Sequence, residues 1–215
     1  MQRANQSARA RNGGNGSWLK RQVRTWHWIS SAICLVGMLL FAITGITLNH
    51  AHQISSTPVT SEETAVVPAD LLVSLAGAPK PEDMEMLPGD VVSWLQSELD
   101  VDVTGKQVEW SPVDVYIGLP RPGGDGWLSI DLNSGEVIHE VTSRGFVSYL
   151  NDLHKGRNTG TAWAWFIDVF SVACVIFCLT GLWLLQIHAG KRPATWPVVG
   201  AGFVLPLLLI VLFIH

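Results

Sequence analysis

Four of the chain's seven histidines stand at the ends of long apolar runs. His27 opens the first run and His50 closes it, with His52 just beyond; His154 precedes the second run and His188 ends it. Imidazole nitrogen is an axial donor for haem iron. A haem inside a helical bundle takes its ligands from facing helices. If the two runs are antiparallel helices, His27 meets His188 at one end, and His50 or His52 meets His154 at the other. Such a set gives two bis-histidine pairs, one per end. Each ligand then needs its second ring nitrogen hydrogen-bonded. Lys155 and Arg157 at one end, and Arg24, Lys191 and Arg192 at the other, supply cations for haem propionates. A histidine at a membrane boundary need bind nothing, so the matched set carries the reading and no single member does.

The elements that must position these residues are membrane spans. Hydrophobic residues make up 48% of the chain and charged residues 15%, against about 25% charged in ordinary globular domains. Trp26 to Leu48 runs for 23 residues without a formal charge, and about 20 residues of helix cross the hydrocarbon core. A second run, Ala162 to Ile187, holds one acid, Asp168; a third, Trp196 to Ile214, holds Pro197 and Pro206. The first run is too long for the core of a signal peptide and reads as a retained anchor. Arg3, Arg9, Arg11, Lys20, Arg21 and Arg24 precede the first span, and Lys191 and Arg192 follow the second. Basic loops stay in the cytoplasm, so the N-terminus is expected inside a bacterial cytoplasmic (inner) membrane. The expected organisation is a basic tail over 1–24, spans over 25–49, 162–188 and 196–215, an exterior domain over 50–161 and an interior loop over 189–195. Residues 1–17, rich in Asn, Gly, Ser and Arg, read as a disordered tail. Cys34, Cys174 and Cys178 all fall in apolar runs, which offers no disulfide framework.

The exterior segment reads as α+β. Pro58 to Pro68 is expected to be a linker. Asp90 to Leu99 has helical spacing, with Val91, Trp94, Leu95 and Leu99 on one stripe. Lys106 to Leu119 reads as a strand interrupted by Pro112. Trp127–Ile130 and Glu136–Val141 flank Asn133-Ser134-Gly135, which is hairpin chemistry. Trp94, Trp110 and Trp127 are the expected core, and His139 a solvated strand residue. Phe146, Tyr149, Leu150 and Leu153 mark an amphipathic helix that leads back to the membrane.

Three stretches occur in a telling order. The first is Trp26-His27-Trp28 with Ala42-Ile43-Thr44-Gly45-Ile46-Thr47-Leu48-Asn49-His50. The second is Leu128-Ser129-Ile130-Asp131 with Ser134-Gly135-Glu136-Val137. The third is Leu153-His154-Lys155-Gly156-Arg157 with Thr159-Gly160, continuing to Leu179-Thr180-Gly181-Leu182-Trp183. Over residues 20–190 the chain resembles PepSY-associated transmembrane helix proteins of bacteria. The resemblance implies an integral membrane α-helical protein with three transmembrane helices and an inserted, small α+β PepSY-like extracytoplasmic domain. Larger relatives include inner-membrane ferric-siderophore reductases that carry b-type haem between histidines. That implies haem b, two per chain and bis-His, with His27, His50, His154 and His188 as ligands. Helical phase alone favours His52 over His50, since 25 residues from His27 make about seven turns. A helix that ends at Asn49 releases His50 from that phase, and the resemblance favours His50. His27 and His50 are 23 residues apart, about 35 Å of helical rise, which is long for fast tunnelling.

The remaining signals are weaker. Asp168 is an acid within a span, as suited to pairing with Lys155 or Arg157 as to proton relay. Thr44-Gly45 and Thr180-Gly181 permit close helix contact or room for a flat cofactor. Cys174 and Cys178 read as small packing residues, and His215 simply ends the sequence. The chain has no phosphate loop, nucleophile triad or zinc motif, and nothing that suits nucleic acid. The expected function is a membrane haem protein that moves electrons to a periplasmic acceptor: ferric iron, a siderophore or a periplasmic redox partner. Quinol is the expected donor, since the chain has no nicotinamide or flavin fingerprint. The rival reading is a membrane-anchored PepSY binding or regulatory module without a redox cofactor. The lysine and arginine bias predicts that a reporter active only in the periplasm works when fused after Pro58 or near Gly123 and fails after Lys191. Activity at Lys191 with silence at Gly123 would invert the orientation.

Overall fold

A computed structural model describes the backbone over residues 2–76 and 86–214, and side chains from residue 16 onward; His215 lies outside the described residues. The chain forms two compact units, residues 1–40 with 166–215, and residues 41–165.

Helix α1 spans Gln2–Asn49, α5 spans Gly160–His188 and α6 spans Thr195–Phe213. Each contains a stretch long and apolar enough to cross a membrane. In lipid every backbone N–H and C=O must be satisfied internally, and a helix does so within one segment. Helices α5 and α6 bury no side chain within the protein, and Leu39, Val169 and Phe203 stay exposed. Apolar surface that broad needs a partner, and the bilayer supplies it. Pro197 falls in the first turn of α6, where a missing N–H costs no bond. Helix α1 begins at Gln2, so the segment expected to be a disordered tail continues the span as helix. Adding residues to an already nucleated helix is cheap. Between α1 and α5, Gly37 lies beneath the ring of Phe170, where a methyl group would collide.

The unit of residues 41–165 is built on a five-stranded antiparallel sheet of order β1-β5-β4-β3-β2. Strand β1 spans Val59–Val66, β2 Glu109–Trp110, β3 Asp114–Gly118, β4 Gly124–Asp131 and β5 Glu136–Ser143. Helices α2 (Ala69–Ala76) and α3 (Gly89–Leu99) pack on it. The expected helix and the expected β4–β5 hairpin are both present, with Ile130 opposite Val137. In the hairpin turn the Asp131 carboxylate accepts the N–H groups of Ser134 and Asn133. Those bonds, the Ser134 N–H first, hold its carboxyl below the usual carboxylate range. The expected strand around Pro112 is two strands, β2 and β3, because proline cannot donate to a ladder and the chain turns there.

The core consists of Val91 and Leu95 of α3 with Val115, Ile117, Leu128, Ile130 and Val137 of the sheet. Side chains alternate across a strand, so Trp127, next to Leu128, lies on the opposite face. There it is half-buried, stacked on Tyr116 and donating to Glu140, which corrects its expected place in the core. Trp94 and Trp110 pack partly buried against the core. The linker expected over Pro58 to Pro68 is instead edge strand β1, paired with β5 along its length. His139 is also corrected: its side chain is only 13% exposed, with Nδ1 3.8 Å from Glu63.

Helix α4 spans Phe146–Lys155. Of its apolar stripe, Phe146 and Tyr149 are exposed and Leu150 and Leu153 half-buried, while Asn151 and Asp152 are buried. Asp152 accepts the Gly123 N–H at 2.8 Å and pairs with Arg157 at 3.3 Å. Gly123 has a positive φ of 74°, and a methyl group there would stand 2.6 Å from the Tyr149 Cα. Only glycine meets both demands, and it lets α4 lie against the strand connection. Leu95→Ala is expected to cost about 2–5 kcal/mol, and Trp127→Ala distinctly less, measured as resistance of the domain to protease across a urea series. Equal losses would contradict the assignment of sheet faces.

Candidate functional site

Two imidazoles are seated in the same way, one in each unit. His27 on α1 places Nδ1 3.0 Å from the Thr180 hydroxyl of α5. His154 on α4 places Nδ1 2.8 Å from the Thr44 hydroxyl of α1. Each threonine is followed by a glycine that lies under the ring. A methyl group on Gly181 would stand 3.3 Å from His27 Cε1, and one on Gly45 would stand 3.5 Å from His154 Cε1. A phenylalanine three residues before each threonine packs on the imidazole. Phe177 stacks on His27 with centroids 4.8 Å apart, and Phe41 meets His154 at 5.0 Å.

The hydrogen-bond directions follow from counting protons. A threonine hydroxyl has one. Thr180 Oγ1 lies 2.7 Å from Ile176 O, and two oxygens approach that closely only with a proton between them. The Thr180 proton therefore goes to its own helix, and the bond to His27 must be donated by imidazole Nδ1–H. Thr44 Oγ1 lies 3.2 Å from Phe41 O, too long to fix its proton there, so the 2.8 Å contact between Thr44 and His154 Nδ1 is compatible with either direction. His188 Nδ1 lies 2.8 Å from Leu184 O, and His50 Nδ1 lies 3.0 Å from Ile46 O. A carbonyl only accepts, so these rings are donors at Nδ1 too. In the neutral form His27, His50 and His188 then carry their lone pair on Nε2, the nitrogen turned away from the anchoring bond. A metal-binding histidine shows the same disposition, with one nitrogen held and the other bare. His52 differs, with Nε2 3.3 Å from the Gln53 amide nitrogen, and His139 Nδ1 has no hydrogen-bond partner.

The structure brings His27 and His188 into one cleft of about 530 Å³, lined also by Gly181, Leu184, Leu185, Lys191, Arg192 and Thr195. Its polar rim is cationic and its walls are apolar. His154 is half-buried and His50 exposed. His50 follows Thr44 by six residues, about 9 Å of helical rise, so it stands beyond the His154 seat along α1. Thr47 extends that seat by bonding Asn151 Oδ1 at 2.9 Å, and Trp163 Nε1 donates to Leu153 O at 2.9 Å. Arg157 is engaged with Asp152, Lys155 is exposed, and Asp168 lies exposed on α5. Among the described residues no cluster of three or more His, Cys, Asp or Glu is arranged to hold a bare metal ion.

Sequence reasoning passed over Thr44, Thr180, Phe41 and Phe177 as partners of the histidines. The available signal was a repeat. Phe41-Ala42-Ile43-Thr44-Gly45-Ile46 recurs as Phe177-Cys178-Leu179-Thr180-Gly181-Leu182. The PepSY_TM-like family description matches residues 18–215. No curated protein and no solved structure gives a significant match.

The two glycine seats differ in tightness, and substitution should reveal it. Alanine in place of glycine in a helix gains up to about 1 kcal/mol. Gly45→Ala should therefore raise the unfolding midpoint of the purified protein, while Gly181→Ala, which forces the His27 ring to shift, should not. A rise in both would contradict a close seat at Gly181.

Proposed function

The chain belongs to the PepSY_TM-like family, and we propose that it is a b-type haem protein of the bacterial inner membrane that moves electrons to a periplasmic acceptor. The observation that carries this reading is the common state of His27, His50 and His188. Each has Nδ1 committed to an acceptor of the protein, which leaves Nε2 as the basic nitrogen. Haem b, when bound, supplies one-electron chemistry between Fe(III) and Fe(II).

The residues present suit such a group best at the His27 end. There two imidazoles share a cleft with apolar walls and with Lys191 and Arg192 at its rim, where carboxylates of a flat cofactor would find cations. Gly181 keeps the floor of that cleft free of a side chain. His154 and His50 would hold the second haem, with Lys155 rather than Arg157 as the free cation. The lysine and arginine bias places the His27 end in the cytoplasm and residues 50–161 in the periplasm. Quinol from the bilayer is the proposed donor, and ferric iron, a ferric siderophore or a periplasmic redox protein the acceptor.

A second reading, an anchored binding module without cofactor, is favoured by one feature. Strand β1 is an eight-residue edge strand whose side chains are nearly all exposed, and such edges accept an added strand from a partner. A pyridine haemochrome assay on the purified full-length protein separates the two. The haem reading expects two haems per chain and a split α/β spectrum. His27→Ala and His188→Ala should remove the same haem, and His139→Ala neither. A colourless protein from haem-replete cells would leave the binding module as the better account.

A further inference from the structure

We infer that Thr44 and Thr180 are positioning residues that set the tautomer of His154 and His27, through the duplicated Phe-x-x-Thr-Gly segment, and thereby decide whether each ring can ligate through Nε2. The consequence for ligation rests on the haem reading; the tautomer assignment does not.

In the second copy the threonine spends its proton on a carbonyl of its own helix, Ile176 O at 2.7 Å, and the repeat extends the same arrangement to Thr44, whose hydroxyl faces Phe41 O. Its oxygen is then an acceptor aimed across to the neighbouring helix. A side chain that only bridged helices could serve equally well with either proton arrangement. This one is restricted, because the intrahelical bond removes the hydroxyl's freedom to donate outward. At Gly181 the missing side chain lets the imidazole close on the backbone, since a methyl group would stand 3.3 Å from His27 Cε1; at Gly45 the same distance is 3.5 Å, an ordinary contact. The phenylalanine a turn earlier flanks the ring. Threonine fixes the proton, glycine the depth and phenylalanine the flank. The arrangement is reciprocal: α1 carries His27 and the Thr44-Gly45 seat, while the segment from α4 through α5 carries His154 and the Thr180-Gly181 seat.

Valine is the discriminating substitution. It keeps the branched shape of threonine and removes the acceptor. Loss of a group that orients a metal-binding histidine typically costs 10–100-fold in affinity. The test uses the full-length chain in detergent, labelled with ¹⁵N-histidine, as wild type, Thr180→Val, Thr44→Val and the two serine variants. In the haem-free wild type the ¹⁵N shifts should report His27 and His154 protonated at Nδ1 and bare at Nε2. Each valine variant should lose that state at its own histidine alone, and serine should restore it. Haem titration should then weaken by 10–100-fold at the altered site, with a displaced midpoint potential, and recover in the serine variant. An unchanged tautomer in the valine variants overturns the inference, as does a changed tautomer with haem affinity and potential intact. If the tautomers follow the prediction while the wild type binds no haem at any concentration, the positioning role stands and the haem reading fails.

Discussion

A half-buried hydrogen bond between an imidazole and a threonine hydroxyl, made twice, is the constraint around which this protein is arranged. A polar group buried without a partner costs a few kcal/mol in apolar surroundings, and the penalty is harder to escape in hydrocarbon, where no solvent can replace a lost bond. His27 and Thr180 answer one another in this way, and so do His154 and Thr44. Each bond ties two segments remote in sequence, separated by 153 and 110 residues respectively. Helix contacts in a membrane gain little from hydrophobic burial, because lipid is as apolar as leucine. A few polar bonds and small residues therefore decide how these helices meet, and here the small residues are the glycines beneath the rings.

The domain between the first two spans contributes to the same end. His154 sits on the last turn of α4, and α4 is fastened to the sheet by the Asp152 carboxylate on the Gly123 N–H. The burial of Asp152 and its pairing with Arg157 make that fastening costly to break, since a carboxylate stripped of its partners in a low-dielectric site loses far more than one hydrogen bond. The exposed Phe146 and Tyr149 are the other consequence. With Asn151 and Asp152 turned to the protein, α4 leaves Phe146 and Tyr149 outward, which suits a helix at a lipid boundary.

What the sequence made legible follows from which interactions leave periodic traces. The three spans were evident because a bilayer demands length and apolarity, and both are visible in a single pass. The β4–β5 hairpin was evident because Asn133-Ser134-Gly135 supplies the turn and Leu128, Ile130 and Val137 supply the alternation. Strand β1 was hidden because almost every side chain along it is exposed; its order comes from backbone pairing with β5, which no side-chain pattern records. Trp127 was misplaced because size suggests burial, whereas its parity with Leu128 places it on the other face. His139 was misjudged for the converse reason: it shares the parity of Val137, and parity outweighs polarity in deciding which face a residue joins. The histidines were singled out by type and position. Their threonine partners were not, since a long-range side-chain bond has no local signature, and the one trace it left was the repeat of Phe-x-x-Thr-Gly.

The seating of His154 ties helix α4 to the end of α1. His154 does not hang from a flexible connector. It belongs to a helix whose carboxylate is locked to the β3–β4 connection and whose C-terminus is closed by Gly156 in the left-handed conformation. Its ring then reaches back to Thr44, and Asn151, one turn earlier, reaches Thr47. Those two contacts lie three residues apart on each helix, so they act as a two-rung ladder that fixes both the height and the rotation of α4 against the end of α1.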